Sequence, residues 1–128
     1  MDDRIRRAIS RGHGIDITTT GRRSGIDRRL EIVFHNFDGR IFISGMPSRR
    51  KRDWIANLEA NPRMTVHLKG AVTADLPATA RVITDPAERR EVLIRVAQVW
   101  RRQDVDIMVA YSPLIEVSID GFSSPVAA

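Results

Sequence analysis

The feature that most constrains this chain is a run of alternating side chains that ends in a turn signal. From Arg28 to Phe34, the apolar Leu30, Ile32 and Phe34 alternate with Arg29, Glu31 and Val33, the pattern of a strand with one buried face. Asp38-Gly39 follows, then Arg40-Ile41-Phe42-Ile43-Ser44, so the two segments read as an antiparallel hairpin closed by a two-residue turn. Other segments share the character. Ile15 to Thr20 is rich in β-branched residues and stops at Gly21, and Leu114 to Ile119 alternates as a final strand. Met64 to Leu68 and Val72 to Thr84 read as strands joined at Lys69-Gly70, with Pro77 marking an edge or an irregularity.

Helical signals fall between these strands. Ile5, Ala8 and Ile9 give Asp2 to Arg11 a helical spacing, and Gly12 and Gly14 follow as stops. Ser48 is placed to cap a helix containing Trp54, Ile55 and Leu58, which Asn61-Pro62 ends. On that reading the basic residues 49–52 open the helix and oppose its macrodipole. Asp85-Pro86-Ala87-Glu88 combines an N-cap, a first-turn proline and a reciprocal glutamate; the helix it starts carries Val92, Leu93, Val96, Val99 and Trp100 on one stripe and runs to about Gln103. Ile107 to Tyr111 extends helical structure before Ser112-Pro113.

The order is helix, three strands, helix, two or three strands, helix, strand. It predicts an α+β fold with a mainly antiparallel barrel of six to seven strands and flanking helices, not alternating βαβ units. With 128 residues there is room for one core, so residues 1–122 are expected to form a single domain and 123–128 a disordered tail.

Composition removes several kinds of chemistry. The chain has no cysteine, which excludes disulfides, thiolate metal sites and cysteine nucleophiles. His13, His35 and His67 lack the spacing of a helical metal motif, so no metal site is expected. No apolar run approaches the ~20 residues that span a bilayer, and the charged N-terminus is unlike a secretory signal; the expectation is a cytoplasmic protein without membrane insertion. Charge is unevenly placed. Residues 22–52 hold nine basic side chains against Asp27, Glu31 and Asp38, a field that attracts nucleic acid, an acidic membrane surface or a phosphorylated small molecule.

The motifs that carry a resemblance lie in the same stretch. Thr18-Thr19-Thr20-Gly21-Arg22-Arg23-Ser24-Gly25, then a hairpin, Ser44-Gly45, Trp54-Ile55-Ala56-Asn57-Leu58 and Ala60-Asn61-Pro62 together resemble the deazaflavin (F420)-dependent nitroreductase family. The resemblance spans roughly residues 15–120 and is most distinctive over 18–69. It implies a split β-barrel of the FMN-binding, pyridoxamine-phosphate-oxidase type. It also implies coenzyme F420, with FMN as the alternative, and hydride transfer to a small apolar, electron-poor acceptor such as a quinone, enone or nitro compound. On that analogy Arg22, Arg23, Ser24, Gly25 and Arg28 form one wall of the cofactor site, and Ser44 to Arg52 the other, including Gly45, Met46, Arg49, Arg50 and Lys51. Trp54 corresponds to the family's tryptophan beside the cofactor, Ser44 to a hydrogen-bonding group near the ring, and Tyr111 to a proton donor. The sequence departs from the family at Gly45, where lysine is common, and in having Tyr111 alone for the substrate-side tyrosines.

The residues have blander readings too. Ser24 suits a turn, Trp54 and Trp100 suit helix anchors in the core, and the run 49–52 suits a solvated loop. A split barrel that sequesters a cofactor or lipid-like ligand without turning it over is the alternative function. A nucleic-acid-binding module ranks lower and no nucleic-acid partner is expected, because the seven aromatics form no paired strand motif and no recognition-helix signature is present. Homodimerisation, common among split barrels, stays open.

Overall fold

The computed structural model describes residues 1–122; the expectation of a disordered tail concerns residues outside that range. The chain order is α1 (Asp3–Ser10), β1 (Gly14–Thr20), β2 (Asp27–Phe37), β3 (Arg40–Ser44), α2 (Asp53–Ala60), β4 (Arg63–Leu68), β5 (Ala74–Val82), α3 (Pro86–Trp100), α4 (Val105–Tyr111) and β6 (Leu114–Ile119). Six antiparallel strands close into a barrel in the order β1-β2-β3-β6-β5-β4, with β4 returning to β1.

Register explains the alternation. Leu30 stands opposite Ile17, Ile17 opposite Val66, Phe34 opposite Ile43, and Ile43 opposite Ile115, so one face of every strand turns inward. Ile17, Ile43 and Ile115 are fully buried there. Ala8 and Ile9 of α1 and Ile55 and Leu58 of α2 join the same core, while α3 and α4 build a second core on the outside of the barrel against Phe42, Ile83 and Leu114. Burying a Leu or Ile side chain contributes roughly 1.5–3 kcal/mol.

Several boundaries differ from the sequence reading, each for a local reason. The helix expected from Ser48 begins only at Asp53: the Ser48 hydroxyl donates to the Arg50 carbonyl at 2.9 Å and shapes a loop instead. The basic run therefore precedes α2, and Asp53 in the first turn agrees with the helix dipole. Pro77 lies inside the closed sheet, not on an edge. It faces Thr65 of β4, its carbonyl accepts from the Asp120 amide at 2.9 Å, and its missing N–H falls just past the last β5–β6 pair, Ala78 with Ile119. The strand expected over Val72 to Thr84 is trimmed to Ala74–Val82.

Helix α3 starts as expected, with the Asp85 carboxylate accepting from the Glu88 amide at 2.9 Å. Glu88 does not reciprocate; Arg81 holds its carboxylate through two hydrogen bonds of 2.9 and 2.7 Å. The helix ends at Trp100 and not near Gln103, because Arg101 turns left-handed at φ 54°.

Candidate functional site

Two clefts lie on either side of the segment from Gly45 to Arg52. The first, about 460 Å³, runs along Leu30, Glu31, Ile32 and Val33 of β2 and has Trp54 of α2 and Trp100 of α3 on its lining. Ser44, Gly45, Met46, Arg52 and Pro113 complete its edge. The second, about 400 Å³, holds Arg49, Arg50, Lys51, Arg89 and Tyr111. Arg52 and Pro113 belong to both, so the clefts meet at one partition.

The partition is built by backbone contacts. Arg52 donates from Nη2 to the Met46 carbonyl at 2.8 Å, and the Ser48 amide donates to the Tyr111 carbonyl at 3.0 Å. A Cβ on Gly45 would sit 3.1 Å from Pro113 Cγ, so a larger residue requires the proline ring to give by a few tenths of an ångström. That contact gives a packing reason for glycine where the related family often has lysine. Ser44 is 2 % exposed, and its hydroxyl donates to the Pro113 carbonyl at 2.8 Å. Its hydrogen is thus engaged in tying β3 to the chain entering β6.

Tyr111 stands apart from the tryptophan-lined cleft. Its ring lies under the Arg49 guanidinium, 5.4 Å from the centroid, in the basic cleft. Lys51 pairs with Glu59 at 2.7 Å. The basic cleft is closed behind by Arg89, whose guanidinium donates to the carbonyls of Val109, Ile83, Met108 and Ser112 at 2.8, 2.9, 3.3 and 2.5 Å. Burial lowers the Arg89 pKa from its ordinary value.

The β1–β2 loop and the 48–52 loop converge at the start of α2. Arg22 donates to Asn57 Oδ1 from its backbone amide at 3.1 Å and from Nη1 at 2.9 Å, and reaches Asp53 at 3.7 Å. Arg22 therefore acts first as a clamp between loop and helix. The Ser24 hydroxyl accepts from the Ile26 amide at 3.1 Å and Gly25 adopts φ 69°, so both shape the turn. The side chains of Arg23, Arg28 and Arg50 make no hydrogen bond or ion pair among the described residues and are exposed. Arg28 shares the face of β2 with Leu30 and Ile32, which places it just beyond the Leu30 end of the first cleft. Helix α2 has no side-chain cap; its Ile55 amide donates to the Arg52 carbonyl at 3.1 Å, and the Asp53 and Trp54 amides precede it.

Arg22, Arg23, Ser24, Gly25 and Arg28 do not line either cleft, whereas Ser44, Gly45, Met46 and Trp54 line the first and Arg49, Arg50 and Lys51 the second. Sequence reasoning missed Val33, Pro113 and Trp100 as lining residues. Val33 carried a signal: it is an apolar residue on the polar face of β2 and is 43 % exposed. Trp100 gave none, because a tryptophan on the apolar stripe of a capped helix reads as core.

The cleft fits a flat, mostly apolar ring system with an anionic extension: its volume is in the range of small-molecule sites, aliphatic residues of β2 line it beside Glu31, two indoles border it, and Arg28, unpaired among the described residues, stands two positions before Leu30. Among the described residues no helix is long and apolar enough to cross a membrane.

Comparison with known proteins agrees with this geometry. Residues 4–118 match the model of the F420H(2)-dependent quinone reductase family. Among solved structures, an F420-H2 dependent reductase, FDR-A, superposes with a TM-score of 0.59 at 20% identity, over 82% of this chain and 93% of that one. A structure described as an F420 reductase gives 0.67 at 14% identity, over 92% and 94%. A pyridoxamine 5′-phosphate oxidase-type protein from Listeria innocua gives 0.61 at 11% identity, over 92% of each chain, which identifies the barrel as the split type. With a family match that covers nearly the whole described fold, the chain belongs to the F420H(2)-dependent quinone reductase family and is an F420-dependent reductase on a split β-barrel.

Proposed function

We propose that the cleft between Trp54 and Trp100 holds the ring system of F420 and that a quinone is the acceptor reduced there. The observation that carries this reading is the pairing of an indole-bordered cleft, lined by aliphatic residues of β2, with Arg28, unpaired among the described residues, two positions before Leu30. Bound in its reduced form, F420 supplies the hydride equivalent that, with one proton, converts a quinone to its hydroquinone.

The chain's own residues bind, orient and exclude water. Leu30, Ile32 and Val33 offer an apolar lining, and Trp54 offers an indole against which a ring can pack. Arg23 and Arg28, with the Asp53 and Trp54 amides at the start of α2, are suited to the cofactor's phosphate, since a guanidinium fork matches phosphate oxygens and helix N-termini favour anions. Arg49, Arg50 and Lys51, across the partition, form a second basic stretch for the acidic tail. Arg22 holds the loop to α2 through Asn57.

Proton delivery follows from the lining. Among the described residues, Glu31 and Arg52 are the titratable side chains that line the cleft, and Lys69 pairs with Glu31, so the proton is drawn from solvent at the open mouth. Steady-state oxidation of reduced F420 with a naphthoquinone tests the reading. Turnover is expected in the wild type, with F420 affinity about tenfold weaker in an Arg23→Ala/Arg28→Ala variant and a steep loss of binding with salt. Turnover with unaltered affinity in that variant would remove the arginines from the site, and absent turnover would remove the quinone assignment.

A further inference from the structure

We infer that Trp100 is the specificity-determining wall on the acceptor side of the cleft, and that His35 is the residue that positions it. The inference rests on the assignment of the cleft to F420 and extends it to the second substrate.

The cleft is polarised. Its Leu30 and Trp54 end adjoins Arg23, Arg28 and the start of α2, where an anionic cofactor is favoured. Its other end, at Trp100, Val33 and Met46, has its cations engaged: Arg102, which reaches Met46 Sδ at 3.0 Å, is ion-paired with Asp104, and Arg52 donates to the Met46 carbonyl at 2.8 Å. Val33 and Met46 are 43 % and 57 % exposed, so the mouth is apolar on that side. An uncharged, flat acceptor is favoured there for the same reason that the phosphate is not. Tyr111 lies in the other cleft, which leaves Trp100 as the aromatic residue facing an acceptor.

Trp100 is held from behind. Its ring meets the His35 imidazole at 5.2 Å and 58°, and that imidazole stacks on Phe37 at 5.5 Å and 19°. Phe37 in turn carries the Arg95 guanidinium at 4.5 Å. His35 is 4 % exposed and, among the described residues, its Nε2 has no hydrogen-bond partner, an arrangement that costs free energy. Burial lowers its pKa, so the imidazole is neutral and can lie against two aromatic faces. Trp100 ends α3, where Arg101 turns left-handed, and its indole packs against the outer core as well, so His35 is the support that faces the ring from the β2 side.

The test uses the whole protein in three forms: wild type, Trp100→Ala and Trp100→Phe, each checked for its thermal transition. Binding of F420 is titrated by its fluorescence, and KM is measured for a naphthoquinone and for a one-ring benzoquinone. The expected result is a five- to tenfold higher KM for the naphthoquinone in Trp100→Ala, a smaller change for the benzoquinone, near recovery in Trp100→Phe, and an F420 Kd within about twofold of wild type. His35→Ala should raise the same KM and His35→Phe restore it. Equal KM changes for both quinones, or an F420 Kd that shifts as much as the KM, would overturn the specificity role. An unchanged KM in His35→Ala would overturn the positioning role. Failure of the wild type to bind F420 at all would instead sink the cleft assignment, a readout taken before any quinone is added.

Discussion

Ser44 and Tyr111 show how far a side chain's role depends on where its hydrogen goes. Ser44 gives its own to the Pro113 carbonyl in a buried site, so Ser44→Ala leaves that carbonyl without a partner and is expected to destabilise the fold by about 1–2 kcal/mol, with kcat reduced less than about threefold. Urea unfolding beside steady-state kinetics checks it, and a hundredfold loss of kcat at unchanged stability would restore a catalytic role. Tyr111, packed under Arg49 in the basic cleft, is expected to tolerate replacement by Phe with kcat within about twofold, because it lies outside the indole-bordered cleft and a phenyl ring keeps the cation–π contact. The types of these residues were legible in the sequence, where the resemblance set Ser44 to Arg52 on one wall of a single site with Trp54 beside it; the structure divides them, with Ser44, Gly45, Met46 and Trp54 on one cleft and Arg49, Arg50 and Lys51 on another. What the sequence did not carry was the partition at Arg52 and Pro113, because it depends on the contacts of Ser48 with Tyr111 and of Gly45 with Pro113, between segments some sixty residues apart.

Elements were legible where periodicity and caps coincide. The β2–β3 hairpin, the start of α3 and the strand β6 follow from alternation, Asp38-Gly39 and Asp85-Pro86. The start of α2 was not, since Ser48 offers a plausible cap and only the tertiary position of the 48–52 loop decides against it. Two predictions belong to this scale. Arg101 holds a left-handed conformation that a Cβ disfavours, so Arg101→Gly is expected to stabilise the protein by roughly 0.5–1 kcal/mol, read as a higher Tm. Arg89 satisfies carbonyls at the end of α4 and after β5 with one half-buried guanidinium, so Arg89→Leu leaves several acceptors unpaired and is expected to cost about 2–4 kcal/mol. A loss below 1 kcal/mol in chemical denaturation would mean that water replaces the guanidinium.

At the scale of the molecule, titration and cofactor binding are the properties to follow. Hydrogen bonds and ion pairs with Lys69 and Arg29 lower the Asp16 pKa, Arg81 that of Glu88, and Arg40 and Arg81 that of Glu116; burial lowers the His35 pKa. A group with a folded pKa below its unfolded value contributes stability above the unfolded value and loses it as pH falls, and here all four act in the same direction. The Tm is therefore expected to fall first below about pH 6.5, where an unfolded histidine gains its proton, and more steeply below about 4.5, where unfolded carboxylates do. His35→Phe should remove the first decline and leave the second. The barrel, the cofactor class and the basic stretch were all accessible from the sequence, whereas the division of one surface into an indole-bordered cleft and a basic one needed the closed sheet. Because the chain has two tryptophans, the cofactor assignment is tested most directly by following their two indole N–H signals in a 1H–15N spectrum during titration with F420. The account predicts a saturable shift of the Trp54 signal that weakens with salt and in the Arg23→Ala/Arg28→Ala variant; saturable binding that leaves the Trp54 signal unmoved would contradict it.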